Sequence, residues 1–90
     1  MASSGNTANE QKILAKLDEI LSDILDVDRL NLSFSSSAAD VEGWDSFTNI
    51  KFIIATESHY KVRFTTSDVL ALRNIGEFIE LIIRSNSPVI

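Results

Sequence analysis

The stretch Gly43-Trp-Asp-Ser-Phe-Thr-Asn-Ile50 joins a loop to a helix, and the rest of the chain can be read outward from it. Asp45 suits the cap of that helix, because its carboxylate can accept a hydrogen bond from a free backbone N–H in the first turn. Ser46 then takes the first helical position. The unpaired N–H groups there, and the positive end of the helix dipole, favour a phosphate bonded to the serine oxygen. Dipole effects of this kind are worth about 0.3–1 kcal/mol when exposed, enough to orient a phosphodiester and too little to make one. Downstream, Ile50, Ile53 and Ile54 supply an apolar arc, and Tyr60 ends the helix. Phe52 falls off that arc and has no assigned place.

Upstream of the cap, Val27 to Asp45 shows no sustained period and holds Ser33, Ser35, Ser36, Ser37 and Gly43. Loops longer than about 12–15 residues are uncommon in compact domains and are usually functional. Leu30, Leu32 and Phe34 are expected to pin this one to the core. Before it, Ile13, Leu14, Leu17, Ile20, Leu21, Ile24 and Leu25 recur at helical spacing, with Asp18, Glu19 and Asp23 expected on the wet side. Thr7 and Glu10 stand three apart, as in a capping box.

After Tyr60, Val62-Arg-Phe64 alternates like a strand, but nothing else in the chain could pair with it. It reads as a connector with two buried side chains. Thr65 or Thr66 can cap a short third helix, with Asp68 in its first turn and Val69, Leu70 and Leu72 expected in the core. Asn74 and Glu77 make a second capping pair, ahead of the stripe Ile75, Phe78, Ile79 and Ile82. Gly76 in that first turn weakens the helix by about 1 kcal/mol relative to alanine. The expected fold class is all-α: three main helices, one short helix and a long first loop. Residues 1–9 read as a leader, 10–84 as one domain, and 85–90, with the only proline, as a tail.

Ninety residues and 10.0 kDa allow a single small core. There are no cysteines, so neither a disulfide framework nor a thiolate metal site is available, and one histidine, His59, makes no metal site by itself. The net charge of −5 argues against nucleic acid and against anionic membrane surfaces as partners. No apolar run approaches the roughly 20 residues of a membrane span. The first nine residues lack the basic flank and apolar run of a signal peptide, so a cytoplasmic protein is the expectation. His59 cannot serve Ser46 as a catalytic base. Thirteen residues of one helix separate them, about 20 Å of rise, against the roughly 3 Å that proton transfer needs. No catalytic residue is expected.

With Asp45-Ser46-Phe47 opening the second helix, the chain resembles the acyl carrier protein family, whose attachment motif is Asp-Ser followed by a large apolar residue. The resemblance runs from about Glu10 to Ile83 and takes in Tyr60, the Val62–Phe64 connector and the Leu72 to Ile82 pattern. It implies a four-helix bundle and 4'-phosphopantetheine joined to Ser46 by a phosphodiester. It also implies a phosphopantetheinyl transferase that draws the group from coenzyme A with magnesium, and a recognition role for Asp45. An acyl or aminoacyl group would then ride as a thioester, presented by a monomer to ligase and synthase enzymes of fatty-acid or polyketide-type biosynthesis. On this view Val69, Leu70 and Leu72 could line an acyl pocket, and Phe47 is partly exposed.

One departure narrows the partners. Fatty-acid carriers concentrate acids along helix two, whereas here Thr48 and Lys51 stand at such positions and only Glu57 is acidic. Residues 1–45 carry nine acids against three bases, residues 46–90 four against five, so the acid lies ahead of Ser46. At 100° per residue Phe47, Lys51 and Ile54 share a narrow arc beside Ser46, giving an apolar docking patch with one positive charge. This suits a stand-alone carrier of a specialised pathway. The competing reading is an unmodified helical adaptor in which Asp45-Ser46 is only a cap. Trp44 is expected to staple the helix start, and Lys61 and Arg63 form a small basic spot.

Overall fold

The computed structural model describes residues 8–86, and the side chains of 8–85. Four α-helices follow one another: α1 Ala8–Leu25, α2 Ser46–Tyr60, α3 Thr66–Leu70 and α4 Ile75–Asn86. A single 3-10 turn, Ala38–Asp40, interrupts the loop between α1 and α2. No strand occurs among the described residues, and Val62–Phe64 is a connector with half-buried Val62 and Phe64. Thr7, expected as a cap, lies outside the described residues. Helix occupies Ala8 and Asn9 at one end and Ser85 and Asn86 at the other, two residues beyond each expected limit of the domain.

The core is shared by Ile13, Leu17 and Leu21 of α1, Leu32 of the loop, Phe52 and Ile53 of α2, and Ile75, Phe78, Ile79, Leu81 and Ile82 of α4. α1 and α4 present the stripes their spacing predicts. α2 does not. Phe52 is fully buried, flanked one turn away on either side by buried Thr48 and Thr56, while Ile50 and Ile54 are each 58% exposed. A helix that is apolar on two faces gives periodicity no way to choose between them, and complementary rings decide. Phe52 fills the space between Trp44 and Phe78, meeting both edge-on with centroids 5.6 and 5.4 Å apart. Thr56 tolerates burial because its hydroxyl donates to the Phe52 carbonyl at 2.8 Å.

Asp18 corrects a second expectation. It is half-buried, not on the wet face, and its carboxylate accepts from Leu30 N at 3.1 Å, Leu32 N at 2.9 Å and Ser22 Oγ at 2.9 Å. Asn31 lies between the two donors with φ of 57°, a left-handed conformation that asparagine tolerates better than most residues. Burial alone would raise the Asp18 pKa. The N–H groups of Leu32 and Leu30 and the Ser22 hydroxyl outweigh it and hold the carboxyl below its ordinary value. A carboxyl lowered in this way stabilises the fold in full above its unfolded pKa, and the contribution is lost as pH falls through the lower folded value. Asp18→Ala is expected to cost about 2–3 kcal/mol near neutrality, as for hydrogen bonds to a charged group. In urea melts the gap between wild type and variant should shrink only under strongly acid conditions.

The other end of the loop is tied to α4. Ile75 N donates to Ser36 O at 2.8 Å and Gly76 N to Phe34 O at 2.7 Å. Asn74 Oδ1 accepts from Glu77 N at 2.9 Å, so the opening N–H groups of α4 all find partners. Gly76 has a positive reason to be there. A Cβ at that position would stand 2.9 Å from the Phe34 carbonyl oxygen, inside contact distance. The Asn74–Glu77 pair is half of a capping box, since the Glu77 carboxylate turns to Arg73 N and its guanidinium instead of the Asn74 N–H. α3 is capped by Thr65, whose Oγ1 accepts from Asp68 N at 3.0 Å. Leu70 is 79% exposed, contrary to its expected place in the core, because a five-residue helix has too few turns to bring Val69, Leu70 and Leu72 inward together.

Candidate functional site

Gly43, at φ of 89°, turns the chain into the start of α2. Trp44 follows as the expected staple. Its ring edge packs on Phe52, and its Nε1 donates to Asn49 Oδ1 at 2.9 Å, one turn into the helix. Asp45 caps α2 as expected, its Oδ1 accepting from Thr48 N at 2.9 Å. That N–H is the chief reason its carboxyl is held below the ordinary range, so it stays ionised at neutral pH. The Asp45 carbonyl accepts from Asn49 N at 2.8 Å.

Ser46 is the first residue of α2 and is exposed. No described residue engages its hydroxyl. It stands at the positive end of a fifteen-residue helix, a setting that favours negative charge on a group bonded to its oxygen. It also borders a crevice of about 350 Å³ between α2, α3 and α4, walled by Trp44, Phe52, Leu72, Ile75 and Phe78. An exposed hydroxyl, a helix N-terminus and an apolar recess meet here, and this set of residues fits a phosphodiester-linked arm with an apolar load. A larger open groove, about 1030 Å³, runs along α1 and the start of the loop. Ser46 does not border it, and its acids include Asp18, already committed to the loop.

Phe47 is 67% exposed, and Lys51 Nζ lies 4.6 Å from the centre of its ring, a cation–π contact. Ile50 and Ile54 are exposed on the same helix, so the apolar surface beside Ser46 is wider than Phe47, Lys51 and Ile54 alone. Thr48 turns inward and is buried, so Lys51 alone represents the expected change of charge on this surface. Glu57, the remaining acid of α2, accepts from Phe64 N at 2.9 Å and anchors the connector. His59 is exposed at the far end of an unbroken helix with its ring against Tyr60, so it forms no pair with Ser46. Lys61 and Arg63 are exposed, and Lys61 ends α2 in the left-handed conformation.

Reasoning from sequence missed Asn49, Phe52 and Gly76. Asn49 has a readable signal, an amide five residues after a lone Trp and three after the cap-following serine, where a helix would bring it back toward both. Among the described residues there is no cluster of potential metal ligands, and no helix is long and apolar enough to cross a membrane.

The profile of a protein family described as "phosphopantetheine attachment site" matches residues 15–82. The meromycolate extension acyl carrier protein of Mycolicibacterium aurum is 27% identical over 75 residues, covering 83% of this chain and 77% of that protein. An acyl carrier protein of Rhodococcus erythropolis is 23% identical, covering 81% and 80%. Among solved structures, holo acyl carrier protein from Geobacter metallireducens superposes with a TM-score of 0.74 at 30% identity, covering 80% of this chain and 83% of that one.

Proposed function

This chain belongs to the acyl carrier protein family, whose prosthetic group is covalent 4'-phosphopantetheine, and from that premise we propose that Ser46 is the attachment residue. The observation that carries the reading is the free, exposed hydroxyl that opens α2 beside the apolar crevice. Ser46 Oγ forms the phosphodiester, its proton passes to the transferase, and the nucleotide part of coenzyme A leaves. Asp45 fixes the start of α2 and offers an ionised carboxylate to the transferase and its magnesium. The bound group supplies a thiol that holds an acyl chain as a thioester, chemistry for which this cysteine-free chain has no thiol of its own. Trp44 and Phe52 shape the crevice where such a chain can withdraw from water. The carrier itself performs no catalysis.

The reading is tested by incubating the apo protein with coenzyme A, magnesium and a broad-specificity transferase, then weighing it intact. A gain of one phosphopantetheinyl group supports it; no gain favours an unmodified adaptor. In our reading the carrier works in the cytoplasm as a monomer, passing its load between a ligase and downstream synthase or transferase enzymes.

The exposed side of α2 further supports a specialised partner set. It presents Phe47, Ile50, Ile54 and Lys51, with its single acid, Glu57, drawn to the connector. A partner built for an acidic helix would meet apolar surface and a cation there. The best complement is an apolar surface with an acid opposite Lys51. The similar protein of Mycolicibacterium aurum is named for meromycolate extension, which supports an acyl chain built by extension as the load. Lys51→Glu is expected to slow loading by the cognate ligase about tenfold, at a cost of roughly 1–2 kcal/mol for placing like charges together. Steady-state kinetics with the ligase measure it, and unchanged loading would remove Lys51 from the interface.

A further inference from the structure

Ser46 shares its crevice with polar side chains that are only partly engaged in hydrogen bonds. Asn49 Oδ1 accepts from Trp44 Nε1 and Asn74 Oδ1 from Glu77 N, each at 2.9 Å. Ser37 donates to Asp40, and the Arg73 guanidinium grips Glu77. A carboxamide has an oxygen that can accept two hydrogen bonds and an NH₂ with two donors. Each oxygen already accepts one bond, whereas both donors of each NH₂ are open, since no described residue accepts from either. No buried side-chain nitrogen or oxygen among the described residues lacks a partner, so both NH₂ groups keep an open side. Both residues line the crevice, whose depth is made by Phe52, Ile53, Leu72, Ile75 and Phe78.

We propose that Asn49 and Asn74 select the carried group, favouring an acyl chain with an acceptor oxygen close to its thioester, a 3-hydroxy or 3-keto chain, over a saturated chain of equal length. The inference rests on Ser46 as the attachment residue. A saturated chain entering the crevice must lay methylenes against two N–H groups and displace their water without return. An oxygenated chain replaces that water with hydrogen bonds while its hydrocarbon end fills the apolar depth. Neither asparagine takes part in forming the phosphodiester, so selection and attachment are separable.

The test loads the protein from octanoyl- or 3-hydroxyoctanoyl-coenzyme A with a broad-specificity transferase and confirms each product by intact mass. The hydroxyacyl form is expected to move the side-chain NH₂ signals of Asn49 and Asn74 in ¹⁵N spectra relative to the holo protein, with the octanoyl form leaving them in place. Its thioester should also resist hydroxylamine about threefold better, each rate taken relative to the same acyl-coenzyme A. Asn49→Asp and Asn74→Asp keep the committed oxygen and remove the donor, and each should reduce that advantage. Equal NH₂ shifts and equal protection in the two loaded proteins would overturn the assignment while leaving Ser46 as the attachment residue. Failure of both to load would overturn the attachment reading, and this inference with it.

Discussion

Ser46→Ala is expected to abolish all mass gain from coenzyme A while leaving the fold intact. The substitution deletes the only atom proposed to form the new bond, and no other exposed hydroxyl lies between Trp44 and Lys51. Thr48 is buried, and every other residue from Trp44 through Lys51 lacks a hydroxyl. Stability should change by no more than about 0.5 kcal/mol, because the lost oxygen is exposed and engages no described residue. The Asp45 cap is untouched, since it binds Thr48 N and not Ser46. Intact mass after treatment with the transferase reads the first outcome, and a urea melt reads the second. A variant that still gains the full mass would place the attachment elsewhere; one that unfolds would show that Ser46 has a structural part that its exposure denies.

Phe52→Ala should be the most damaging single substitution for stability, at about 3–5 kcal/mol. The ring is fully buried and is the meeting point of Trp44 and Phe78. Truncation loses transfer energy and leaves a void between helices that cannot close without moving α2 or α4. Domains of this size typically have about 5–15 kcal/mol in total, and small ones lie toward the bottom of that range. The variant should therefore unfold at much lower urea concentration, and Trp44, packed against the missing ring, should report the change by fluorescence. Ile54→Ala is the contrast. It removes a smaller apolar group from the same helix, and from a position 58% exposed, and should cost about 0.5 kcal/mol or less. Comparable losses for the two would mean that α2 turns its other side to the core.

That pair also shows where the sequence is legible and where it is not. α1 and α4 are apolar on one side only, so spacing alone gives their buried stripes, and the Asp45 and Thr65 caps follow from side-chain chemistry. α2 is apolar on two sides because one of them faces outward for some other purpose. Local periodicity then misleads, and Phe52 cannot be placed without knowing which rings lie opposite. Asp18 and Gly76 resist reading for a related reason. Their partners are backbone groups of the loop, at Leu30, Leu32 and Phe34, and a backbone group leaves no trace in residue identity. At the site, Ser46 and its cap are visible in the chain because they act locally, whereas Asn49 and Asn74 come to one crevice only through the fold.

The walls around Ser46 differ in stiffness. α2 and α4 are anchored through Phe52, Ile75 and Phe78, and the long loop is strapped at one end by Asp18 and at the other by the first amides of α4. α3 contributes no buried residue; it has one threonine cap and one half-buried side chain, Val69, with half-buried Leu72 just beyond its end. Elements with so little buried surface open at the least cost in free energy. The crevice is therefore expected to widen first along α3, with the start of α2 held in place.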